Sequence, residues 1–249
     1  MMVGMTTALE VRPRPPVRTA RPLRLRLSLF AAVTILAASN VVSNRIWPEG
    51  YVVWNLAMTA LLVAGARASG LTWHDLGLHG LRLRRGALVG AAVAGAVAVF
   101  YAIALAHPAT RAAFLDARAA GPLGAVLFAA LVRIPLGTAV LEETAFRGVL
   151  PALIGGGWWR ATLVSSALFG VWHVLPAIGM GSANAAFGAA LGGWGTVGEI
   201  AVAVLFTFAA GVWLSALRRW GGHLVAPVLA HVATNSLGVL LAWWMITHG

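Results

Sequence analysis

The residues best suited to chemistry lie in the stretch 141–150, which reads Leu-Glu-Glu-Thr-Ala-Phe-Arg-Gly-Val-Leu. Two of the seven acidic residues of the chain, Glu142 and Glu143, are adjacent there, inside a long apolar segment. An ionisable side chain at the centre of a bilayer helix costs roughly 2.5–3.5 kcal/mol on insertion scales, so such groups usually serve a function. The alternative is that the glutamates reach the membrane interface and balance Arg147, which explains one glutamate better than two.

Helical spacing separates the roles of these charged residues. Residues four apart share a helix face, so Glu143 and Arg147 are expected to pair. Glu142 is rotated from Glu143 by about 100° around the helix axis and faces the side of Phe146. Because Glu142 then lacks a local counter-charge, it is the candidate general base.

Two further pairs of residues, each four apart, occur in later apolar segments: Phe169 with His173, and His231 with Asn235. A carboxylate, two imidazoles and an amide in one dry cavity are able to hydrolyse a peptide bond. Glu142 and His173 would deprotonate a water, and His231 and Asn235 would donate hydrogen bonds to the oxyanion. The structural alternative, in which His and Asn only bridge helices, explains one cluster better than all of them.

Other peptidase chemistries lack their residues. The His-Glu-x-x-His pattern of a zinc protease helix is absent from the sequence. The two aspartates, Asp75 and Asp116, fall in predicted loops, and Ser182 lies in a Gly/Ala-rich loop without a nucleophile elbow. The remaining histidines are also expected to be solvated, in loops or at chain ends: His74, His79, His107, His223 and His248.

These residues must be positioned by membrane-spanning helices. The chain is 60% hydrophobic with a mean hydropathy of +0.85, against roughly 45–50% apolar residues in soluble domains. Its apolar blocks, each near the length of a bilayer span, predict an all-α polytopic membrane protein, and the absence of cysteine excludes disulfides and thiolate metal sites. The predicted spans are seven, the fourth kinked at Pro135: Leu27–Val42, Tyr51–Ala66, Gly86–Ala106, Leu123–Ile154, Ala161–Met180, Val197–Leu217 and Leu224–Ile246.

Charge predicts the orientation of this membrane domain, residues 27–249. Residues 1–26 are rich in Arg and Pro and are expected to form a disordered basic arm in the cytoplasm. With the N-terminus inside, thirteen of the 18 basic residues, all arginine, lie on the cytoplasmic side and the C-terminus lies outside. Residues 71–85 are read as an amphipathic segment or a basic loop on that side. The net charge of +11 forms no basic stripe with aromatics, so no nucleic-acid partner is expected.

The pairs Glu142-Glu143-x-x-x-Arg147, Phe169-x-x-x-His173 and His231-x-x-x-Asn235, in this order, resemble the three motifs of the CPBP family of intramembrane proteases. That family includes type II CAAX prenyl proteases and bacteriocin-processing or self-immunity proteins, also called Abi. The resemblance covers residues 123–249 and implies a CAAX-protease-like helical bundle with a cytoplasm-facing cavity.

The resemblance also implies a function and a set of roles. The protein would be a glutamate-dependent endopeptidase of a membrane-tethered, prenylated or leader-bearing protein or peptide. Glu142 and His173 would activate water, and His231 and Asn235 would form the oxyanion site. Glu143, Arg147 and Phe169 would support them. The family is often labelled metalloprotease, and two His plus a Glu are potential Zn²⁺ ligands. Because Asn is a poor zinc ligand and a good oxyanion donor, no cofactor is favoured.

Two functions of other classes stay open at this point. One is a non-catalytic self-immunity or peptide-binding membrane protein. The other is a transporter that uses Glu142 and the histidines as a proton relay. In each case we expect an integral protein of a bacterial plasma membrane, because the chain is rich in Ala, Gly and Arg and contains no Lys.

Overall fold

The computed structural model describes residues 22–191 and 194–249, and helices form most of this part of the chain. Apart from one isolated β-bridge between Asp116 and Asn184, it contains no strand. The all-α polytopic prediction is confirmed. The principal helices are Pro22–Val41 (α1), Tyr51–Ala68 (α2), Leu83–Ala106 (α3), Leu123–Ile154 (α4), Trp158–Trp172 (α5), Gly195–Gly221 (α6) and Val225–His248 (α7).

Six helical segments of the described residues are long and apolar enough to cross a membrane, one fewer than the predicted number. The difference lies at the predicted span Ala161–Met180, because α5 has 15 residues and ends before His173. Gly179 has a φ of +85°, in the left-handed region that favours glycine, so the chain turns there. Three short helices continue the chain toward α6: Val174–Ala177, Met180–Ala183 and Ala185–Leu191.

The first helix begins earlier than predicted. Residues 22–26, assigned from the sequence to the basic arm, already belong to α1. Pro22 occupies the first position of the helix, where a missing backbone N–H leaves no hydrogen bond unmade. The rest of the predicted arm, residues 1–21, lies outside the described residues.

One end of the bundle, called the arginine-rich end below, carries nine of the 14 arginines of the described residues. They are Arg24, Arg26, Arg67, Arg82, Arg84, Arg85, Arg160, Arg218 and Arg219. There the guanidinium of Arg219 lies 4.9 Å from the ring centroid of Trp158, so the start of α5 meets the end of α6. The loop before α3 folds onto the same end, where the Leu224 N–H donates to the carbonyl of Gly77 at 2.9 Å. Within the predicted amphipathic or basic segment, residues 71–79 form a loop; most of the segment is exposed, but its Leu76 is completely buried.

The helix that bears the two glutamates is the centre of the largest apolar core. Leu141, Phe146 and Leu150 of α4 pack with buried side chains of α1, α2 and α5. Pro135 lies inside a π-helical stretch of α4, Ala129–Ala139. The wider turn absorbs the hydrogen bond that proline cannot donate.

Candidate active site

The backbone of α4 changes its winding around the glutamates. The short α-helical turn Val140–Glu143 lies between two π-helical stretches, Ala129–Ala139 and Thr144–Val149. π-Helical turns inside α-helices occur frequently at functional sites. Every residue from 141 to 150 is buried, so the charged groups of this stretch must find partners within the bundle.

Glu143 lies at the centre of a buried charged cluster. Its Oε1 accepts a hydrogen bond from Nη1 of Arg147 at 3.1 Å and a second one from Nδ1 of His231 at 2.7 Å. The guanidinium of Arg147 also lies 4.0 Å from the ring centroid of Phe169, a cation–π contact. The ion pair expected from the four-residue spacing is present, and α7 adds an imidazole to it.

Glu142 has a different set of partners. Its Oε1 accepts a hydrogen bond from the indole Nε1 of Trp172 at 2.9 Å. Its Oε2 lies 3.8 Å from Nε2 of His231 and is buried without a hydrogen-bond partner among the described residues. Two atoms at this separation are able to bind one water at about 2.8 Å from each. The unpaired carboxylate oxygen and the free imidazole nitrogen therefore define a position for a small polar molecule.

His173 caps the end of α5, and its own helix fixes its tautomer. Nδ1 donates to the carbonyl of Phe169 at 2.8 Å, one helical turn earlier. Because a carbonyl only accepts, the proton of the neutral ring is on Nδ1 and Nε2 carries the lone pair. The rings of Phe169 and His173 also pack edge to face with centroids 4.6 Å apart. The bond to the Phe169 carbonyl therefore leaves Nε2 of His173 free to accept a hydrogen bond.

Asn235 lies one turn beyond His231 on α7 and is half-buried. Within the described part of the chain its amide makes no hydrogen bond, and neither Asn235 nor His173 is paired directly with the Glu142 carboxylate. The structure therefore brings Glu142, Glu143 and His231 into direct contact or near contact. His173 at the end of α5 and Asn235 on α7 keep polar atoms that are not bonded to this cluster.

Small residues set the distances between the helices that carry the site. A Cβ on Gly170, between Phe169 and His173, would lie 2.8 Å from the carbonyl oxygen of Val204, so α5 contacts the backbone of α6. A Cβ on Gly90 of α3 would lie 2.9 Å from Cβ of Leu229 on α7. These close approaches fix α5 and α7 relative to their neighbours, because a larger side chain would push the helices apart.

The geometry does not fit a three-ligand metal site. Among the described residues, no group of three or more His, Asp or Glu side chains is arranged to hold a metal ion. Nδ1 of His231 already donates to Glu143, so the atoms left as candidate ligands are Nε2 of His231, Oε2 of Glu142 and, on α5, Nε2 of His173, which is not grouped with the other two. Zinc sites in proteins use at least three protein ligands.

Trp172 is the partner of Glu142 that the sequence reasoning missed. Its signal was present, because a buried indole N–H usually requires an acceptor and Trp172 directly precedes His173. The solvated state expected for His223 is also wrong. This residue is buried, and its Nδ1 accepts from the N–H of Val225 at 3.0 Å. Burial, followed by the proximity of His79 and Arg218, lowers the pKa of His223 below the ordinary value of 6.5.

Comparison with known proteins adds one finding. Residues 123–237 match the family model described as Rce1-like, type II CAAX prenyl endopeptidase Rce1-like. The matched range includes all the site residues described above, from Glu142 to Asn235. No curated protein and no solved structure matches the chain.

Proposed function

Residues 123–237 belong to the Rce1-like family of type II CAAX prenyl endopeptidases, and from this premise we propose a glutamate-dependent intramembrane endopeptidase. Its substrate is a membrane-associated protein or peptide, prenylated or leader-bearing. The observation that carries the proposal is the buried Oε2 of Glu142, which has no partner among the described residues and lies 3.8 Å from Nε2 of His231. An unpaired buried carboxylate oxygen is costly unless it binds something.

In the proposed reaction, Glu142 removes a proton from a water whose oxygen attacks the scissile carbonyl carbon. The lone pair on Nε2 of His173 accepts the second hydrogen bond of that water. The carbonyl π electrons move to oxygen, and Asn235 and His231 donate hydrogen bonds to the resulting oxyanion. When the oxyanion collapses, the C–N bond breaks and Glu142 returns its proton to the leaving amine.

The partners of His231 suit this role. Its Nδ1 donates to Glu143, so Nε2 donates to substrate when the ring is an imidazolium. The carboxylates of Glu142 and Glu143 balance that charge, and Arg147 balances the excess carboxylate. Glu143 and Arg147 therefore act as positioning residues for His231.

We propose that the reaction requires no metal, since the hydrolytic groups are supplied by side chains. A chelator such as EDTA is then expected to leave the activity unchanged. Inhibition that Zn²⁺ reverses would contradict this part of the proposal and leave the endopeptidase assignment intact.

We also propose that the arginine-rich end faces the cytoplasm of a bacterial cell, with the N-terminus inside and the C-terminus outside. The seventh crossing that this orientation needs is made by α5 together with the short helices after it, since α5 begins at the arginine-rich end and Asn184 forms a bridge with Asp116 at the opposite end. The excess of arginine at this end supports the orientation, since cytoplasmic loops carry more basic residues. A reporter that is active only in the cytoplasm, fused after His248, is expected to be inactive.

The test is Glu142→Gln, which preserves the size and one acceptor of the side chain and removes its basicity. We expect cleavage to fall by at least about 100-fold, the usual scale of general-base catalysis, while the protein still accumulates in membranes. The matched control is Glu199→Gln, because Glu199 accepts a hydrogen bond from Gly179 N–H away from the site. Mass spectrometry of membrane peptides provides the readout. Full biological activity of Glu142→Gln would instead support a non-catalytic peptide-binding protein.

A further inference from the structure

A cavity of about 610 Å³ opens at the arginine-rich end of the bundle. Its walls come from α1, α4, α5 and α6 and from the loop before α3. The polar and charged side chains among its lining residues include Asp75, Arg147, Thr162, Ser215 and Arg218. Neither glutamate of α4 lines it, but Arg147 belongs both to this cavity and to the charged cluster around Glu143.

Both arginines of the cavity have hydrogen-bond donors to spare. Arg147 is 1% exposed, and its Nη2 has no partner among the described residues, although Nη1 is bound to Glu143. Arg218 donates through Nη2 to the carbonyl of Asp75 at 2.7 Å, while its buried Nε has no partner within the same part of the chain. A buried charged donor without an acceptor is costly, so an oxygen ligand at this position would be strongly favoured.

The walls favour a ligand with a single carboxylate. Arg218 contributes one positive charge and Asp75 one negative charge, whereas the charge of Arg147 is balanced by Glu143, so the spare N–H donors select the ligand rather than an excess of positive charge. The Asp75 Oδ2 already accepts hydrogen bonds from N–H and Oγ1 of Thr72, both at 2.7 Å, so its charge is held in place. A carboxylate matches the paired N–H geometry of a guanidinium, whereas a dianionic phosphate would be repelled by Asp75.

We propose that this cavity is a carboxylate-binding subsite, in which Nη2 of Arg147 and Nε of Arg218 bind the free C-terminal carboxylate of the substrate. The inference rests on the proposed function for the identity of the ligand. Two hydrogen bonds connect the subsite to the hydrolytic groups: Arg147 donates to Glu143, and His231 donates to Glu143. The peptide segment beyond the scissile bond then extends toward the arginine-rich end, and its terminus defines how far the substrate enters.

Binding, rather than cleavage, provides the test. The full-length Glu142→Gln protein is placed in zwitterionic lipid nanodiscs. Two fluorescent prenylated pentapeptides ending in a C-a-a-X sequence are then compared, one with a free C-terminal carboxylate and one with an amide. We expect the acid to bind at least about tenfold more tightly, the scale of one charge-assisted hydrogen bond. Equal affinities, or no binding of either peptide, would overturn the subsite.

Arginine variants identify the donors. We expect Arg218→Gln to reduce the ratio of acid to amide affinity several-fold without changing the affinity of the amide peptide. We expect Arg147→Lys to bring the same ratio near one. The matched control is Arg85→Gln, because Arg85 is an exposed arginine of α3 at the same end and does not line the cavity. Its preference should remain that of the parent. If Arg147→Lys fails to fold, Arg218→Gln decides alone, and an unchanged preference there refutes its role.

Two further measurements distinguish a peptide carboxylate from a lipid phosphate, and the subsite from the mechanism. The first compares nanodiscs of zwitterionic lipid with nanodiscs that contain anionic lipid. If the acid and the amide peptide bind equally in zwitterionic lipid and anionic lipid abolishes their binding, the cavity binds a lipid phosphate and the carboxylate assignment is wrong. Cleavage of the peptides by the unsubstituted protein is measured in parallel. Retained cleavage by Glu142→Gln would refute the proposed mechanism, whereas the acid-to-amide ratio decides the subsite in either case.

Discussion

Replacement of Trp172 by phenylalanine is the most direct way to test how Glu142 is held. The substitution removes one indole N–H, which donates to Oε1 of Glu142 at 2.9 Å. The remaining ring still packs against Phe146, whose centroid lies 5.8 Å from that of Trp172. The perturbation is therefore confined largely to one hydrogen bond.

The expected magnitude follows from burial. Trp172 is 8% exposed and Glu142 is 4% exposed, so bulk water does not readily replace the lost donor. A hydrogen bond to a charged group contributes about 1.5–3 kcal/mol. If this energy holds the carboxylate in its reactive orientation, its loss lowers kcat/KM by about 10- to 150-fold, since 1.4 kcal/mol corresponds to a factor of ten.

The assay is cleavage of a fluorogenic prenylated peptide by purified protein in nanodiscs, with thermal unfolding measured on the same samples. Trp243→Phe is the matched control, because its indole N–H donates to the carbonyl of Gly121 at 3.1 Å, away from Glu142. We expect Trp243→Phe to retain the unsubstituted rate within about twofold, below the scale of a charged hydrogen bond. A Trp172→Phe enzyme that also stays within this limit would refute the view that Trp172 positions the base.

Two further predictions concern packing and pH. Gly170→Ala places a methyl group 2.8 Å from the backbone oxygen of Val204, so we expect it to lower the free energy of unfolding by about 1–3 kcal/mol in thermal unfolding. Gly95→Ala is the control, because a methyl group there has nothing within 4 Å and should not destabilise the bundle. Equal melting temperatures of the two variants would contradict the close packing of α5. The pKa of His223 is lowered in the folded protein, so the stability it contributes is complete above pH 6.5 and is lost as the pH falls through the folded-state pKa. His223→Asn keeps an acceptor for the Val225 N–H, and we expect its melting temperature to depend less on pH between about 8 and 5 than that of the unsubstituted protein. An unchanged pH dependence would contradict this prediction.

The sequence was sufficient for the family and for the contacts that lie within one helix. Glu143 and Arg147 were expected to pair from their spacing, and their atoms are 3.1 Å apart. The resemblance of the three motifs to CAAX-type proteases is confirmed by the family match over residues 123–237. Both inferences depend on residues close together in the chain or in a fixed order, which a sequence records directly.

The exact partner atoms between helices were beyond the sequence. His231 was expected to act with Asn235 because they share a face of α7, and the bond from its Nδ1 to Glu143 on α4 was not foreseen. Helical spacing fixes which residues share a face and contains no information about the helix opposite. Trp172 was missed because hydropathy counts tryptophan as apolar and ignores its N–H. The length of α5 was overestimated because apolar residues continue beyond the point where the backbone turns at Gly179.

The two adjacent glutamates illustrate how partners, rather than residue type, assign roles within a membrane. Glu143 is paired with a cation on its own helix and accepts from an imidazole, both through Oε1, while its Oε2 is buried without a partner among the described residues. Glu142 receives a hydrogen bond from the neutral donor Trp172 at one oxygen and keeps the other without a partner among the described residues. Complete pairing would stabilise Glu142 further and remove its reactivity. A carboxylate without an ion pair on its own helix, beside one held in such a pair, is therefore the arrangement that a general base supported by a structural ion pair requires.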